Sequence, residues 1–196
     1  PDTVVLEEFR VTTGTHIRRA IDQEGALPIS VIDHSDLEAT SASTAIELFE
    51  YIPQASFSEI NESSTAGAFA RGDVASVNLR GIGSGNSLVL LNGRRIAPHP
   101  ISQAENRVPS LAVNVNVLPT TIVERVEVLR DGASAVYGAD AAAGVLNTIT
   151  RTDYHRTQTA LRLTRPEGTG GDESLFTFSH GFSFNEGRSY LAWAYS

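Results

Sequence analysis

The sequence predicts an α+β domain, a small mixed sheet with short helices, followed by antiparallel β-strands of a different kind. Three observations carry that prediction. Strand-like and helix-like segments mix irregularly over roughly the first 150 residues, which is the pattern of an α+β chain, not of a regular βαβ repeat. Two capping boxes and an Asn92-Gly93 turn fix local structure inside that stretch. From Thr157 onward the apolar residues recur with period two, as in strands that have one apolar face.

Taken in order, residues 1–8 are extended and apolar in the middle, Phe9 to Thr13 reads as a strand, and Gly14 to Gly25 as a polar connection. Leu27 to Ile32 is a second strand, with Pro28 near its start where the missing donor costs least. Ser35-Asp-Leu-Glu38 and Thr44-Ala-Ile-Glu47 are capping boxes that open two short helices, and Pro53 stops the second. Ile46, Leu48, Phe49 and Ile52 supply the buried side of that second helix. Residues 54–73, rich in Ser, Gly, Ala and Asn, read as a long loop, and loops of that length are usually functional or disordered. Val74 to Arg80 reads as a strand and Gly81 to Asn86 as a glycine loop. Leu88 to Leu91, Asn92-Gly93 and Arg94 to Ile96 form a hairpin with a type I′ turn. Residues 97–110 form a second long loop with three prolines, and Val113 to Val117 is short and apolar. Pro119 suits the first turn of a helix carrying Ile122 and Val123.

The stretch Val123 to Arg151 is the most informative. A short strand through Val126 and Val128 breaks at Asp131-Gly132, Ala133 to Tyr137 forms one small-residue helical turn, and Val145 to Thr150 is a second strand. Gly138 and Gly144 are flexible points, and the run of Ala and Gly lets backbones pack closely. In the tail, Leu161 and Leu163 share one face against Gln158, Arg162 and Thr164. Phe176, Phe178, Phe182 and Phe184 share the next apolar face, interrupted by His180, against Thr177, Ser179, Gly181 and Ser183. Asn185 to Arg188 is a turn, after which Leu191, Trp193 and Tyr195 resume the apolar face. Strands of about eleven residues with this alternation fit a transmembrane β-barrel. A soluble sandwich with those aromatics in its core fits the periodicity equally well.

Composition removes several function classes. With no Cys there are no disulfides or thiolate zinc sites, and the five His residues (16, 34, 99, 155 and 180) lack metal-ligand spacing. All fifteen basic residues are Arg, so a Schiff-base lysine and a P-loop lysine are absent. A net charge of −8 argues against a nucleic-acid partner. Residues 1–150 carry 18 acids and 10 Arg and residues 151–196 carry 5 of each, so the charge balance changes where the Val123–Arg151 block ends. Gly81-Ile-Gly83-Ser-Gly85-Asn86 fails as a dinucleotide fingerprint, because Asn86 stands where the third Gly is needed and a strand follows. Arg71-Gly72-Asp73 is an ordinary polar segment, and no G-x-S-x-G elbow groups a nucleophile with a base. The start at Pro1, without a charged and apolar leader, is expected of a processed or excised chain.

The block Val123–Arg151 resembles the C-terminal signature of the plug domain of TonB-dependent outer-membrane receptors, E-R-V-E-V-L-R-D/G-G-x-S-A-x-Y-G-x-x-A-x-x-G-V-I-N-I-I-T-R. Leu146 and Thr148 stand where that family often has Ile. Val77-Asn-Leu-Arg-Gly81 and Leu88-Val-Leu-Leu-Asn-Gly-Arg-Arg95 are similar to the family's strand ending in Leu-Arg-Gly and its following hairpin. Asp2, Thr3, Val4, Val5 and Leu6 resemble the TonB box, an extended segment able to add as a strand to a partner's sheet edge. The resemblance covers roughly residues 2–151 and tips the tail towards a membrane barrel.

It implies a TonB box and N-terminal extension over 1–13, a plug domain over 14–151, and the first strands of a truncated transmembrane β-barrel over 152–196. Barrels of this family have about 22 strands and a plugged lumen, so three strands are expected to be part of a longer transporter. The implied function is the gate of a TonB-dependent outer-membrane transporter, energised for uptake of a scarce solute such as a siderophore, corrinoid or oligosaccharide. The alternative is a standalone plug-like interaction or signalling module without transport. The implied partners are the periplasmic domain of TonB, the remainder of the barrel, a small solute or metal chelate, and outer-membrane lipid. No enzyme activity, cofactor, metal or nucleic acid is implied. Arg80 and Arg130 occupy the family positions that latch plug to barrel carboxylates. Loops 55–72, 82–87 and 97–107 are expected to face the solute, with Arg71, Ser84, Asn86, His99, Gln103 and Asn106 as contacts.

Overall fold

In a computed structural model the structure describes residues 10–11, 19–20, 29–40, 42, 44–56, 60, 74–105, 107–118, 120–152, 154–165, 173–184 and 189–195. Two short strands, β1 (Arg10–Val11) and β2 (Arg19–Ala20), pair with each other. Then follow β3 (Ile29–Asp33), α1 (His34–Thr40), α2 (Ala45–Glu50), β4 (Ala55–Ser56), β5 (Asn78–Leu79), β6 (Ser87–Leu91) and β7 (Arg94–Arg95). A small hairpin, β8 (Gln103–Glu105) and β9 (Val108–Ser110), precedes β10 (Val123–Leu129), α3 (Ser134–Tyr137) and β11 (Gly144–Thr150). The chain ends in β12 (Thr157–Thr164), β13 (Glu173–Phe184) and β14 (Ser189–Tyr195).

The central sheet has the order β3-β10-β11-β6-β7. Its β11–β6 pair is parallel and the others are antiparallel, so the expected mixed sheet forms. Alternation along the strands gives it two apolar faces. Val126, Val128, Leu146 and Val89 pack with Ala45, Leu48, Phe49 and Ile52 on the side covered by α1 and α2. Leu88, Leu90, Leu129 and Val145 pack with Ala133, Ala141 and Tyr137 on the side covered by the small-residue segment. Burying such side chains contributes about 1.5–3 kcal/mol each.

The caps explain where the helices start. Thr44 Oγ1 accepts from Glu47 N at 3.4 Å, as its capping box requires. The first box is displaced: α1 begins at His34, and Asp33, not Ser35, accepts from Asp36 N at 3.1 Å. Ser35 instead donates its hydroxyl to Asp33 at 2.7 Å. That hydroxyl first, and the Asp36 N–H second, hold the Asp33 carboxyl below its usual 3.8. The cap therefore stabilises the folded chain near neutral pH, and its contribution is lost as pH falls through the lowered value.

Four expectations change. Only Asn78–Leu79 of the predicted strand 74–80 joins a ladder; Ala75 N donates to Asn114 Oδ1 and Ser76 N to the Ile60 carbonyl. The predicted loop 97–110 contains the β8–β9 hairpin, with Pro109 opposite Ala104. The helix expected to carry Ile122 and Val123 is a 3-10 turn, Thr120–Ile122, after which Val123 already pairs with Thr150. The predicted strand 27–32 runs instead over Ile29–Asp33, with Leu27 outside the described residues. The Asn92-Gly93 turn is as expected, with φ of 50° and 76°, the positive pair that a type I′ turn needs.

Candidate functional site

The polar side chains of β10 and β11 lie under the hairpin turn. Glu127 is fully buried, and Arg125 donates to its Oε1 through Nε and lies within 3.0 Å through its second guanidinium nitrogen. Asn147 Nδ2 donates to Glu127 Oε2 at 3.2 Å, and Asn147 Oδ1 accepts from Gly93 N at 2.9 Å. Asn92 Oδ1 accepts from Thr150 N at 2.9 Å. The charged pair and the Asn of the Val123–Arg151 block thus fasten the hairpin to the sheet, since each buried polar atom needs such a partner.

At the opposite end of β11, Gly144 has φ +141°, and a Cβ there would lie 2.5 Å from the Leu129 carbonyl oxygen and 3.2 Å from Leu79 Cδ1. This close approach places the ends of β5 and β10 side by side. Arg80, itself at φ 60°, lies 3.7 Å from Asp131, and Arg80 and Arg130 are both exposed. The two expected latch residues therefore stand at one edge of the domain, on chain ends whose preceding leucines are buried. Arg95, unassigned by the sequence reading, reaches across to Asp140 at 2.6 Å and donates to the Tyr137 carbonyl, tying β7 to the small-residue turn.

The expected solute contacts divide. Arg71 and Asn106 lie outside the described residues, as do Asp2, Thr3, Val4, Val5 and Leu6. Asn86 is half-buried, donates to the Ile82 carbonyl at 2.7 Å, and its own carbonyl accepts from Ala143 N. His99 is also half-buried, and Ile101 N donates to its Nδ1 at 3.2 Å. Ser84 and Gln103 are turned into the interior, at 4% and 1% exposure. Ser84 donates to Glu105 from both its N–H and its hydroxyl, and Glu105 is the residue that sequence reasoning missed. Its only sequence signal was an acid alternating with Gln103 in a segment dominated by prolines. A cavity of about 440 Å³ opens between Ser84, Gly85, Arg95, Ile96, Pro98 and Leu111. Among the described residues, no group of three His, Cys, Asp or Glu side chains could hold a metal ion, and no helix is long and apolar enough to cross a membrane.

The three-stranded sheet β12-β13-β14 is inverted relative to a soluble protein. On one face, Leu161, Leu163, Phe176, Phe182, Phe184, Leu191, Trp193 and Tyr195 are all exposed, from 42% to 73%. Cross-strand pairing gathers them: Leu161 faces Phe176, Phe182 faces Leu191, and the Phe178 and Trp193 rings lie 4.8 Å apart. On the other face the centre of β13 turns inward, with Thr177, Ser179 and Gly181 buried, while Gln158, Ala160, Arg162, Ser183 and Tyr190 stay exposed. Tyr154 donates to or accepts from Ser179 at 2.6 Å, and Gly181 N donates to the Arg156 carbonyl. A Cβ on Gly181 would fall on the Tyr154 carbonyl oxygen, so only glycine admits this crossing. Arg162 on the same face lies 3.5 Å from Glu47 of α2.

Comparison with known proteins agrees with this geometry. The profile of the TonB-dependent receptor plug domain matches residues 22–145. The vitamin B12 transporter BtuB of Vibrio vulnificus is 31% identical over 157 residues, 79% of this chain and 22% of that protein. An iron-regulated outer membrane virulence protein of Vibrio cholerae is 28% identical over 181 residues, 90% of this chain and 26% of that protein. Among solved structures, the siderophore receptor PirA of Acinetobacter baumannii superposes with a TM-score of 0.56 at 26% identity, over 78% of this chain and 22% of that one. A mutant of the ferric enterobactin receptor PfeA of Pseudomonas aeruginosa shares the fold, with a TM-score of 0.63 at 23% identity, over 84% of this chain and 24% of that one. The chain spans about a quarter of the length of the curated relatives it matches. The profile runs from ahead of β3 to the start of β11, more than half of the chain, and the chain belongs to the TonB-dependent receptor plug-domain family.

Proposed function

We propose that this chain is the gate, with the first barrel strands, of a TonB-dependent transporter in the cell outer membrane that takes up a scarce solute such as a siderophore, corrinoid or oligosaccharide. The observation that carries this reading is the inverted sheet. An apolar face left exposed while polar residues behind it, Thr177 and Ser179, are buried is stable against lipid and not against water. Its strands begin directly after the plug signature ends, and their polar face closes on Tyr154 and α2. The division of labour is a TonB-contacting segment over 1–13, a plug over 14–151 and barrel strands over 152–196. Transport requires no covalent step, cofactor or resident metal. The plug supplies a barrier, a solute-facing surface and a handle.

Asp2 to Leu6 is the handle. In the full-length receptor, Val4→Pro removes a backbone donor and fixes φ, so strand addition to the periplasmic domain of TonB fails. Solute uptake by cells should drop to the level of a strain lacking TonB, while the amount of receptor in the membrane is unchanged. Uptake at the wild-type rate by the proline variant would remove the assignment, and TonB-independent function of the wild type would favour an interaction or signalling module.

Arg80 and Arg130 are proposed to hold the plug against barrel carboxylates, since guanidinium forks pair well with carboxylates in a dry lumen. Within the plug their exposed positions and the single 3.7 Å approach to Asp131 contribute little to folding. Arg80→Ala with Arg130→Ala should raise leakage of small solutes through the receptor while leaving the plug's melting temperature nearly unchanged. A large loss of stability with unchanged permeability would make both residues internal supports. Arg71, Asn86, His99 and Asn106 remain proposed solute contacts, while the buried Ser84 and Gln103 are proposed to act as supports and not as contacts.

A further inference from the structure

Three segments on the solute-facing side converge on one buried carboxylate. Glu105, 8% exposed on β8, accepts the Ser84 N–H on both oxygens, at 2.9 and 3.0 Å, and the Ser84 hydroxyl at 2.9 Å. A serine hydroxyl has one proton, so having donated it to Glu105 it accepts from the Ser76 hydroxyl, 2.9 Å away. Ser76 N in turn donates to the Ile60 carbonyl, and Ile60 is buried with Val74 and Ala112. Residue 60 belongs to the loop 55–72, Ser84 to the loop 82–87 and Glu105 to the loop 97–107. Gly83 adjoins the carboxylate, where its φ of +105° is a conformation that residues other than glycine rarely adopt, although a Cβ there would meet Glu105 Oε2 at an ordinary 3.6 Å. Beyond the turn, the Asn86 carbonyl accepts from Ala143 N beside Gly144, so the same turn is anchored to the central sheet.

We propose that Glu105 is the positioning residue that locks the Ser84 turn and the β8–β9 hairpin together and, through Ser76, ties them to Ile60, a role that rests on the reading of the solute-facing loops given above. A carboxylate suits it because it is acceptor-only and can take an N–H and an O–H together, and charge-assisted bonds of this kind are about twice as strong as neutral ones. The tip of the β8–β9 hairpin, where Arg107 is exposed at φ 65°, is thereby coupled to the Ser84 turn and through it to Ala143.

Hydrogen–deuterium exchange on the full-length receptor in detergent tests this without any solute. Glu105→Ala should speed exchange in residues 83–87 and 103–110 about ten- to hundredfold, with β10 and β11 keeping their protection. Glu105→Gln, which keeps an oxygen acceptor in place, should restore part of that protection. Ser84→Ala should loosen residues 74–77 while position 84 stays protected, because its N–H still meets Glu105. Unchanged exchange at 83–87 in Glu105→Ala, equal loss across β10 and β11, or a glutamine variant indistinguishable from alanine would each overturn the proposal. Because no ligand enters the measurement, its failure removes the clamp alone, whereas TonB-independent function of the wild type removes the transporter reading and leaves the clamp standing.

Discussion

Arg125→Ala should destabilise the plug by about 3–5 kcal/mol, the cost of removing one side of a buried ion pair. Glu127 is fully buried, and Arg125 supplies its forked cation from two residues away on the same strand face. Truncation takes that cation away and leaves the carboxylate facing the Asn147 amide in the interior. The hairpin turn loosens with it, because Asn147 also receives the Gly93 N–H. For a chain of 196 residues, each kcal/mol lowers the melting temperature by about 2–4 °C, so thermal unfolding should show a shift well outside error. Arg125→Met with Glu127→Leu, which removes both charges and keeps the volume, should recover much of the loss. A single alanine variant losing under about 1 kcal/mol would mean that water reaches Glu127.

Gly144→Ala should be of similar size, for two reasons that add. Its φ of +141° is a conformation that L-residues avoid, and the new Cβ would sit 2.5 Å from the Leu129 carbonyl oxygen. Backbone strain of about 1–3 kcal/mol and overpacking of about 1–3 kcal/mol together separate β11 from β10. Gly93 is the control: its φ is +76° but nothing lies within 4 Å of a Cβ there, so Gly93→Ala should cost only about 1 kcal/mol. Denaturant midpoints of the two variants measure the difference. Equal losses would show that conformation alone, and not the strand crossing, sets the requirement for glycine at 144.

The local parts of the fold were legible because their causes are local. Asn92-Gly93 dictates its own turn, and Thr44 its own helix start. Ser35 was the natural cap by pattern, but Asp33 two residues earlier offers a carboxylate acceptor and prevails. Pro119 makes a helix through Val123 the natural reading; the pairing of Val123 with Thr150, 27 positions away, decides otherwise. Val74 to Val77 reads as a strand and is buried, yet its N–H groups go to the Ile60 carbonyl and the Asn114 side chain, partners that no periodicity reveals. At the site, Arg80 and Arg130 read as residues that follow buried strands, and each stands directly after a buried leucine. The inward turn of Ser84 and Gln103 was not legible, because a polar loop residue carries no sign of direction until Glu105 and the hairpin beneath it are placed.

A gate inside a barrel requires that β12–β14 meet lipid on one side and the plug on the other. Spin labels placed singly at residues 174–184 of the full-length receptor in outer-membrane vesicles test that requirement, read as accessibility to oxygen dissolved in the bilayer. Labels at Phe176, Phe178 and Phe182 should be strongly oxygen-accessible, and labels at Leu175, Thr177 and Ser179 protected, giving a period of two along the strand. Accessibility to a water-soluble relaxation agent at the phenylalanine positions, with no such alternation, would contradict a membrane barrel.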